Sequence, residues 1–271
     1  MLIINVALTG MIPTKKMTPH VPISPIEIAQ DIKRCYEAGA TLFHIHARGK
    51  DEEPTWESSV YSQIIEETRK FVPEAIICGS TSGRLWSDVN LRSQVLETDI
   101  QMASLTMGSL NFPTRASTNA PDTITTLISR MADRNIKPEL EIFDSGMLDY
   151  TQFLIDKGIL KGPQYFNLFL GSLGTLSARP DNLVHLMLKL PKDSVWAATG
   201  IGRFQFQVNC WAIALGGHTR VGLEDNIWFD DNRTDLASNV RLVERLVKAA
   251  RSMGREPATT SQAREALGWN K

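Results

Sequence analysis

Short apolar runs and longer amphipathic stretches alternate along the 271 residues. Runs rich in β-branched and aromatic residues at Leu2–Leu8, Thr41–Arg48, Ala75–Gly79 and Gln101–Leu105 predict four strands. Four more are predicted at Lys137–Phe143, Tyr165–Leu170, Ser194–Ala198 and His218–Val221. Helical periodicity fills the intervals. The first helix starts at an N-cap Ser24, with Pro25 at its first position and Glu27 at the capping-box position, and runs to about Ala38. Others cover Glu57–Phe71, Val89–Glu97, Pro121–Asn135, Met147–Lys157, Pro180–Leu190, Phe204–Leu215 and Asp235–Ser252, with a tail helix near Ser261–Ala266.

Eight strands alternating with about eight helices, with no linker or low-complexity break, is the α/β count of a single (β/α)8 TIM barrel. It spans residues 1–271 as one domain and carries a short C-terminal helical extension. A doubly wound open sheet is the alternative. Against it, the first strand-to-helix turn lacks Gly-x-Gly-x-x-Gly, and Gly200-Ile-Gly202 is weak support on its own.

Composition narrows the function classes. At 42% hydrophobic and 22% charged the chain can bury a large core, and a net charge of −1 gives no electrostatic case for nucleic acid or an anionic membrane. No apolar run approaches a membrane span, and Met1–Thr9 reads as a strand, not a signal peptide. Cys35, Cys78 and Cys210 are odd in number and far apart, so no disulfide framework is expected and a cytoplasmic setting is.

Candidate chemistry begins at Thr41-Leu-Phe-His-Ile-His-Ala-Arg48. Side chains alternate along a strand, so His44 and His46 share a face and make half of a divalent metal site, with zinc the first choice. The plainer alternative is a packed histidine beside a hydrogen-bonded one. A barrel puts its chemistry at the C-terminal ends of its strands, and polar residues gather there. Thr9, Gly10 and Arg48 follow the first two strands, Ser80, Thr81 and Ser82 the third, and Thr106 and Ser109 the fourth. Glu141 and Asp144 follow the fifth, and Gly171 and Gly174 the sixth.

The eighth segment, Thr219-Arg-Val-Gly-Leu-Glu-Asp-Asn226, supplies Glu224 as a third ligand, because strand eight lies two places from strand two around the ring. Two histidines and one carboxylate with an open position suit catalytic zinc and equally non-haem iron. Asp225 is the general base, with Arg220 keeping it ionised and fixing it by a charge-assisted bond. A solvated acidic turn is the alternative. Gly200, Gly202 and Arg203 form a candidate phosphate site at a helix start, or simply a glycine turn with a surface arginine. His20 and His185 are read as structural.

Several motifs together are specific. Pro13-Thr-Lys-Lys-Met-Thr-Pro-His-Val-Pro22, His44-Ile-His-Ala-Arg48, Ser80-Thr-Ser-Gly-Arg84, Pro138-Glu-Leu-Glu-Ile-Phe-Asp144 and Arg220-Val-Gly-Leu-Glu-Asp-Asn226 occur in order over nearly the whole chain. The sequence thereby resembles the β-keto acid cleavage enzyme family, best known for cleaving 3-keto-5-aminohexanoate. The resemblance implies a zinc-bearing barrel, a homotetramer, and conversion of a β-keto acid plus acetyl-CoA into acetoacetate plus a new acyl-CoA. It implies His44, His46 and Glu224 as zinc ligands and Asp225, oriented by Arg220, as base. Ser80, Gly83 and Thr106 would contact the keto acid and Glu141 would support them. Arg203 and the glycines Gly200 and Gly202 are placed on the CoA phosphates from barrel geometry. A zinc hydrolase using a metal-bound water, or a barrel whose metal is structural, are the rival readings.

One stretch departs from the family. The aminohexanoate-cleaving branch holds its substrate's amino group with an acidic residue after the first strand, where this chain has Met11-Ile-Pro-Thr-Lys-Lys16. No carboxylate is offered, and Lys15 or Lys16 would repel an ammonium. A neutral or anionic β-keto acid is therefore expected.

Overall fold

The computed structural model describes residues 1–269. Eight parallel strands close into a barrel: β1 (Ile4–Ala7), β2 (Leu42–Ile45), β3 (Ile76–Gly79), β4 (Met102–Thr106), β5 (Lys137–Ile142), β6 (Tyr165–Leu170), β7 (Val195–Gly200) and β8 (His218–Val221). Each strand lies between its sequence neighbours, and β1 closes the ring against β8 by pairing Ile4 with Thr219 and Val6 with Val221. The (β/α)8 expectation therefore holds.

The same alternation that builds each strand sorts its side chains into two cores. Phe43, Ile45 and Ile77 point outward and pack with the helices α1 (Pro25–Glu37) and α2 (Ser58–Phe71). Ile3, Leu42, Ile76, Cys78, Met102 and Tyr165 point inward and form a separate, smaller cluster at the N-terminal end of the barrel. The tail joins it from below: Leu2 N–H donates to Glu256 O at 2.8 Å, and Ala263 and Leu267 pack into the inward cluster. The barrel is thus filled with apolar side chains at one end and open to polar ones at the other, the end where chemistry was expected.

Local signals account for most helix starts. Ser24 Oγ accepts the Glu27 N–H, while the Glu27 carboxylate accepts the Ser24 N–H at 2.9 Å, so the predicted capping box is present. After α2 come α3 (Val89–Arg92), α4 (Pro121–Asp133), α5 (Ser145–Asp156), α6 (Pro180–Lys189), α7 (Gln205–Ala214), α8 (Asn239–Ser252) and α9 (Thr260–Ala266).

Three details differ from the sequence reading. The Val89–Glu97 helix is a single α-turn, α3, followed by a 3-10 turn at Gln94–Glu97. The long last helix begins at Asn239, not Asp235, because Ser238 caps it and Trp228 and Leu236 pair across the preceding loop. Finally, β2 ends at Ile45. Ala47–Arg48 instead forms a small hairpin with Pro54–Thr55, and a second hairpin joins Leu110–Asn111 to Ala116–Ser117. Two-residue strands carry too little periodicity to be read from sequence.

The turn after β8 is set by a glycine that no other residue replaces cheaply. Gly222 has φ of +148°, and a Cβ there would lie 2.1 Å from Ala7 O on the neighbouring strand. Gly222→Ala is expected to destabilise the protein by about 3 kcal/mol, lowering Tm by about 6–12 °C. A Tm within about 2 °C of wild type would contradict this account of the turn.

Candidate active site

The site is built from the tops of β1, β2, β5 and β8. Alternation places His44 inward, and His46, just past the end of β2, faces the same way. Their Nε2 atoms are 3.2 Å apart. Beyond β8, the Gly222-Leu-Glu-Asp225 turn is held at both sides: Glu224 N–H donates to Ala7 O at 3.2 Å, and Leu223 N–H donates to Asn239 Oδ1 at 2.9 Å. This brings Glu224 Oε1 to 3.3 Å from His46 Nε2 and Oε2 to 3.7 Å from His44 Nε2. Gly10 makes room for it, since a Cβ there would meet Glu224 Cγ at 2.5 Å.

The donor set fits a divalent cation. Two imidazole nitrogens face each other at 3.2 Å, and Glu224 Oε2 is buried with no hydrogen-bond partner among the described residues. An ion with bonds of about 2.0–2.1 Å in tetrahedral geometry spaces its ligand atoms about 3.3 Å apart, close to what is seen. Charge balance agrees: Glu139, Glu141, Glu224 and Asp225 converge on a single guanidinium. Arg220, fully buried, lies 3.0 Å from Asp225, 3.1 Å from Glu224, 3.6 Å from Glu141 and 3.8 Å from Glu139.

Glu139 was not singled out in the sequence, although it shares a strand face with Glu141 by the alternation that pairs His44 with His46. It is fully buried and accepts from four donors: Asn5 Nδ2 at 2.5 Å, Asn167 Nδ2 at 3.1 Å, His44 Nδ1 at 2.9 Å and Cys78 Sγ at 3.2 Å. Burial alone would raise its proton affinity, but His44, Arg220 and the Cys78 thiol outweigh it and hold the carboxyl well below its usual range. An ionised Glu139 accepting from Nδ1–H fixes the His44 tautomer that leaves Nε2 free as a ligand. Glu139→Gln is expected to weaken metal affinity about 10–100-fold in competition with a chromogenic chelator. Unchanged affinity would show that Glu139 is merely a buried acid.

Arg220 is not the only influence on Asp225. Burial raises its proton affinity, Arg220 opposes this and Glu224 reinforces it, so the carboxyl ends above its ordinary range. Arg220 still orients it, donating from Nε to Oδ2 at 3.0 Å. Glu141 is likewise raised by burial, helped by Glu139 and opposed by Arg220, and it accepts the Thr106 hydroxyl at 2.6 Å.

These groups open on a cavity of about 390 Å³. Ser80, Thr106 and Glu141 line it. Gly83 does not: a Cβ there would sit 2.5 Å from Thr118 O and 2.7 Å from Arg92 Nη1, so this glycine makes room for the buried Arg92. Arg48 is a clamp, donating to Gly10 O, Pro13 O and Glu52 O. The loop after β1 offers Met11 and Ile12 to the cavity, while Lys15 pairs with Glu27 at 2.8 Å and Lys16 lies off the wall, so neither lysine repels a ligand there. At the β7 turn, Ile201 N–H donates to Leu170 O and Gly202 N–H to Asp225 O at 2.8 Å. Gly200 packs beneath the Phe204 carbonyl. Those amides therefore tie the turn to its neighbours and do not face an anion. Gly202 and Arg203 instead line a separate groove of about 240 Å³ that shares Ile12, Glu224 and Asp225 with the main cavity.

Comparison with known proteins shows the family. The chain is 38% identical over 271 residues to the 3-keto-5-aminohexanoate cleavage enzyme of Fusobacterium nucleatum subsp. nucleatum, covering 100% of this chain and 98% of that protein. It is 38% identical over 269 residues to the 3-oxoadipate:acetyl-CoA acetyltransferase of Cupriavidus necator, covering 98% and 94%. Among solved structures, a ternary complex of ObcA with a C4-CoA adduct and oxalate superposes with a TM-score of 0.80 at 22% identity, covering 92% of this chain and 68% of that one, which shows a shared fold. The family model for the beta-keto acid cleavage enzyme matches residues 1–269. The chain belongs to the beta-keto acid cleavage enzyme family.

Proposed function

We propose that the protein transfers the acetyl group of acetyl-CoA onto the two-carbon carboxylate end of a β-keto acid, releasing acetoacetate and a new acyl-CoA. The observation that carries this is the His44–His46–Glu224 set with Asp225 alongside in one cavity. The names of the relatives support acyl transfer with acetyl-CoA over the hydrolase reading. We assign the ligand set to zinc on donor type, and a bound zinc would supply Lewis acidity toward the keto and carboxylate oxygens.

The chain's own residues account for the proton and the orientation. Asp225, raised in proton affinity by burial, takes a proton from the carbon between the keto and carboxylate groups, and Arg220 holds its Oδ2 in place. The carbanion attacks the acetyl-CoA thioester carbonyl and expels the CoA thiolate. That thiolate adds to the substrate's original keto carbon, and cleavage of the adjacent carbon–carbon bond releases acetoacetate enolate and the new thioester. Asp225 returns its proton to the enolate carbon. Ser80 and the Thr106–Glu141 pair line the same cavity and position the substrate there. The groove bearing Arg203, Trp228 and Arg233 runs from Asp225 to the surface and is the entry for the CoA arm.

By family likeness we extend this reading to a homotetramer of one-domain chains acting in the cytoplasm. The three free cysteines suit a reducing compartment. Light scattering at micromolar concentration tests the assembly. Acetoacetate forming only when the β-keto acid, acetyl-CoA and metal are all present tests the reaction, and acid cleavage without thioester would favour the hydrolase instead.

A further inference from the structure

The cavity wall also carries a cation with no assigned task. Arg84 follows the Ser80–Gly83 loop after β3, is half-buried, and lines the same cavity as His44, His46 and Glu224. Its guanidinium carbon lies 4.1 Å over the Phe112 ring, a cation–π contact. Among the described residues the guanidinium makes no ion pair and no hydrogen bond; the one bond at this residue is its backbone N–H to Ser82 Oγ. Arg220, by contrast, faces four carboxylates. A half-buried, unpaired guanidinium at a cavity wall is a site for a ligand carboxylate.

The surroundings agree on the sign of that ligand. The acids of the cavity, Glu141, Glu224 and Asp225, all sit on the Arg220 side. Around Arg84 the wall is Ser82, Phe112, Pro113 and Ser117, with Met11 and Ile12 where the β1 loop enters. Burial makes the Arg84 charge costly, Glu224 across the cavity offsets part of this, and the nearby Arg115 adds to it. A ligand anion would relieve it. We infer that Arg84 binds a second carboxylate at the far end of the substrate, so that the preferred β-keto acids are 3-oxo-dicarboxylates.

This deepens the proposed function and rests on it for the placement of the first carboxylate. A CoA phosphate is the other anion that could reach a free arginine, but Arg203 and Arg233 flank the groove assigned to CoA while Arg84 lies on the inner wall.

Calorimetric binding to the zinc-loaded protein, without acetyl-CoA, tests the inference independently of turnover. The probes are 3-oxoadipate and 3-oxohexanoate, which have equal carbon number and differ in the terminal carboxylate. Wild type is expected to prefer the diacid about 50-fold, the range of a charge-assisted bidentate pair. Arg84→Met is expected to collapse that ratio below about 5, and Arg84→Lys to retain part of it. No preference in wild type, or a ratio kept by Arg84→Met, overturns the inference. So does a loss in Arg84→Met confined to acetyl-CoA affinity, which would assign the arginine to a phosphate. If the diacid preference holds and acetoacetate never forms with acetyl-CoA, the anion site stands and the reaction assignment fails.

Discussion

Replacing His46 with alanine is expected to abolish zinc binding and turnover together. The His44, His46 and Glu224 atoms lie within 3.7 Å of one another, and three protein ligands are the set of an open catalytic site. Removing one leaves His44 and Glu224 holding an ion in a partly dry pocket, which should drop zinc occupancy below about 0.1 per chain after dialysis and lower kcat/KM by about 10⁴-fold or more. The fold should survive, because His46 lies past the end of β2 and takes no part in the barrel's strand pairing. Circular dichroism together with zinc analysis checks both halves. Chelator treatment of wild type should reproduce the loss, and added zinc should reverse it. Full turnover by metal-free protein would refute the role of this set.

Asp225→Asn is expected to lower kcat by about 10³-fold, within the range for loss of a positioned general base, with KM changed less than about threefold. The substitution keeps the size of the side chain and an oxygen for the Arg220 Nε–H, so it isolates proton transfer from geometry. Zinc content should stay at wild-type stoichiometry, since Glu224 and the histidines are untouched. This split separates Asp225 from its neighbour: a Glu224 variant should lose metal, an Asp225 variant should lose the chemical step. A kcat within tenfold of wild type would assign the base to another residue, and Glu141, whose proton affinity is also raised by burial and by Glu139, is the group to test next.

How much of this was legible in the sequence depended on the range of the interaction. The alternation of Leu42, His44 and His46 made the metal face readable, because strand geometry alone dictates it. Ring closure follows from counting strands, and it alone puts Glu224 near His44. Glu139 carried the same signal beside Glu141 and was overlooked, because a buried acid is recognised by its partners, and Asn5, His44, Cys78 and Asn167 come from four different strands. The family resemblance puts Gly83 on the keto acid, and the start of a helix puts Gly200 and Gly202 on a phosphate. Neither signal shows that Arg92 occupies the space beside Gly83 and the Phe204 carbonyl the space beside Gly200. Lys15 differs from its reading as a cation that would repel an ammonium, because Glu27 holds it, and Arg48 is held by three carbonyls that no local pattern reveals. Arg84 is the converse case: in sequence it is one residue of the Ser80–Arg84 motif, and in the fold its guanidinium stands on the cavity wall over Phe112.

The proposed transfer carries the acetyl group of acetyl-CoA into acetoacetate. A carbon-13 trace by NMR follows that group, using acetyl-CoA labelled in both acetyl carbons, an unlabelled β-keto acid and zinc-loaded protein. Acetoacetate is expected to be labelled only in its keto and methyl carbons, formed one-to-one with an unlabelled acyl-CoA carrying the rest of the substrate. Unlabelled acetoacetate, or label released as free acetate, would contradict it.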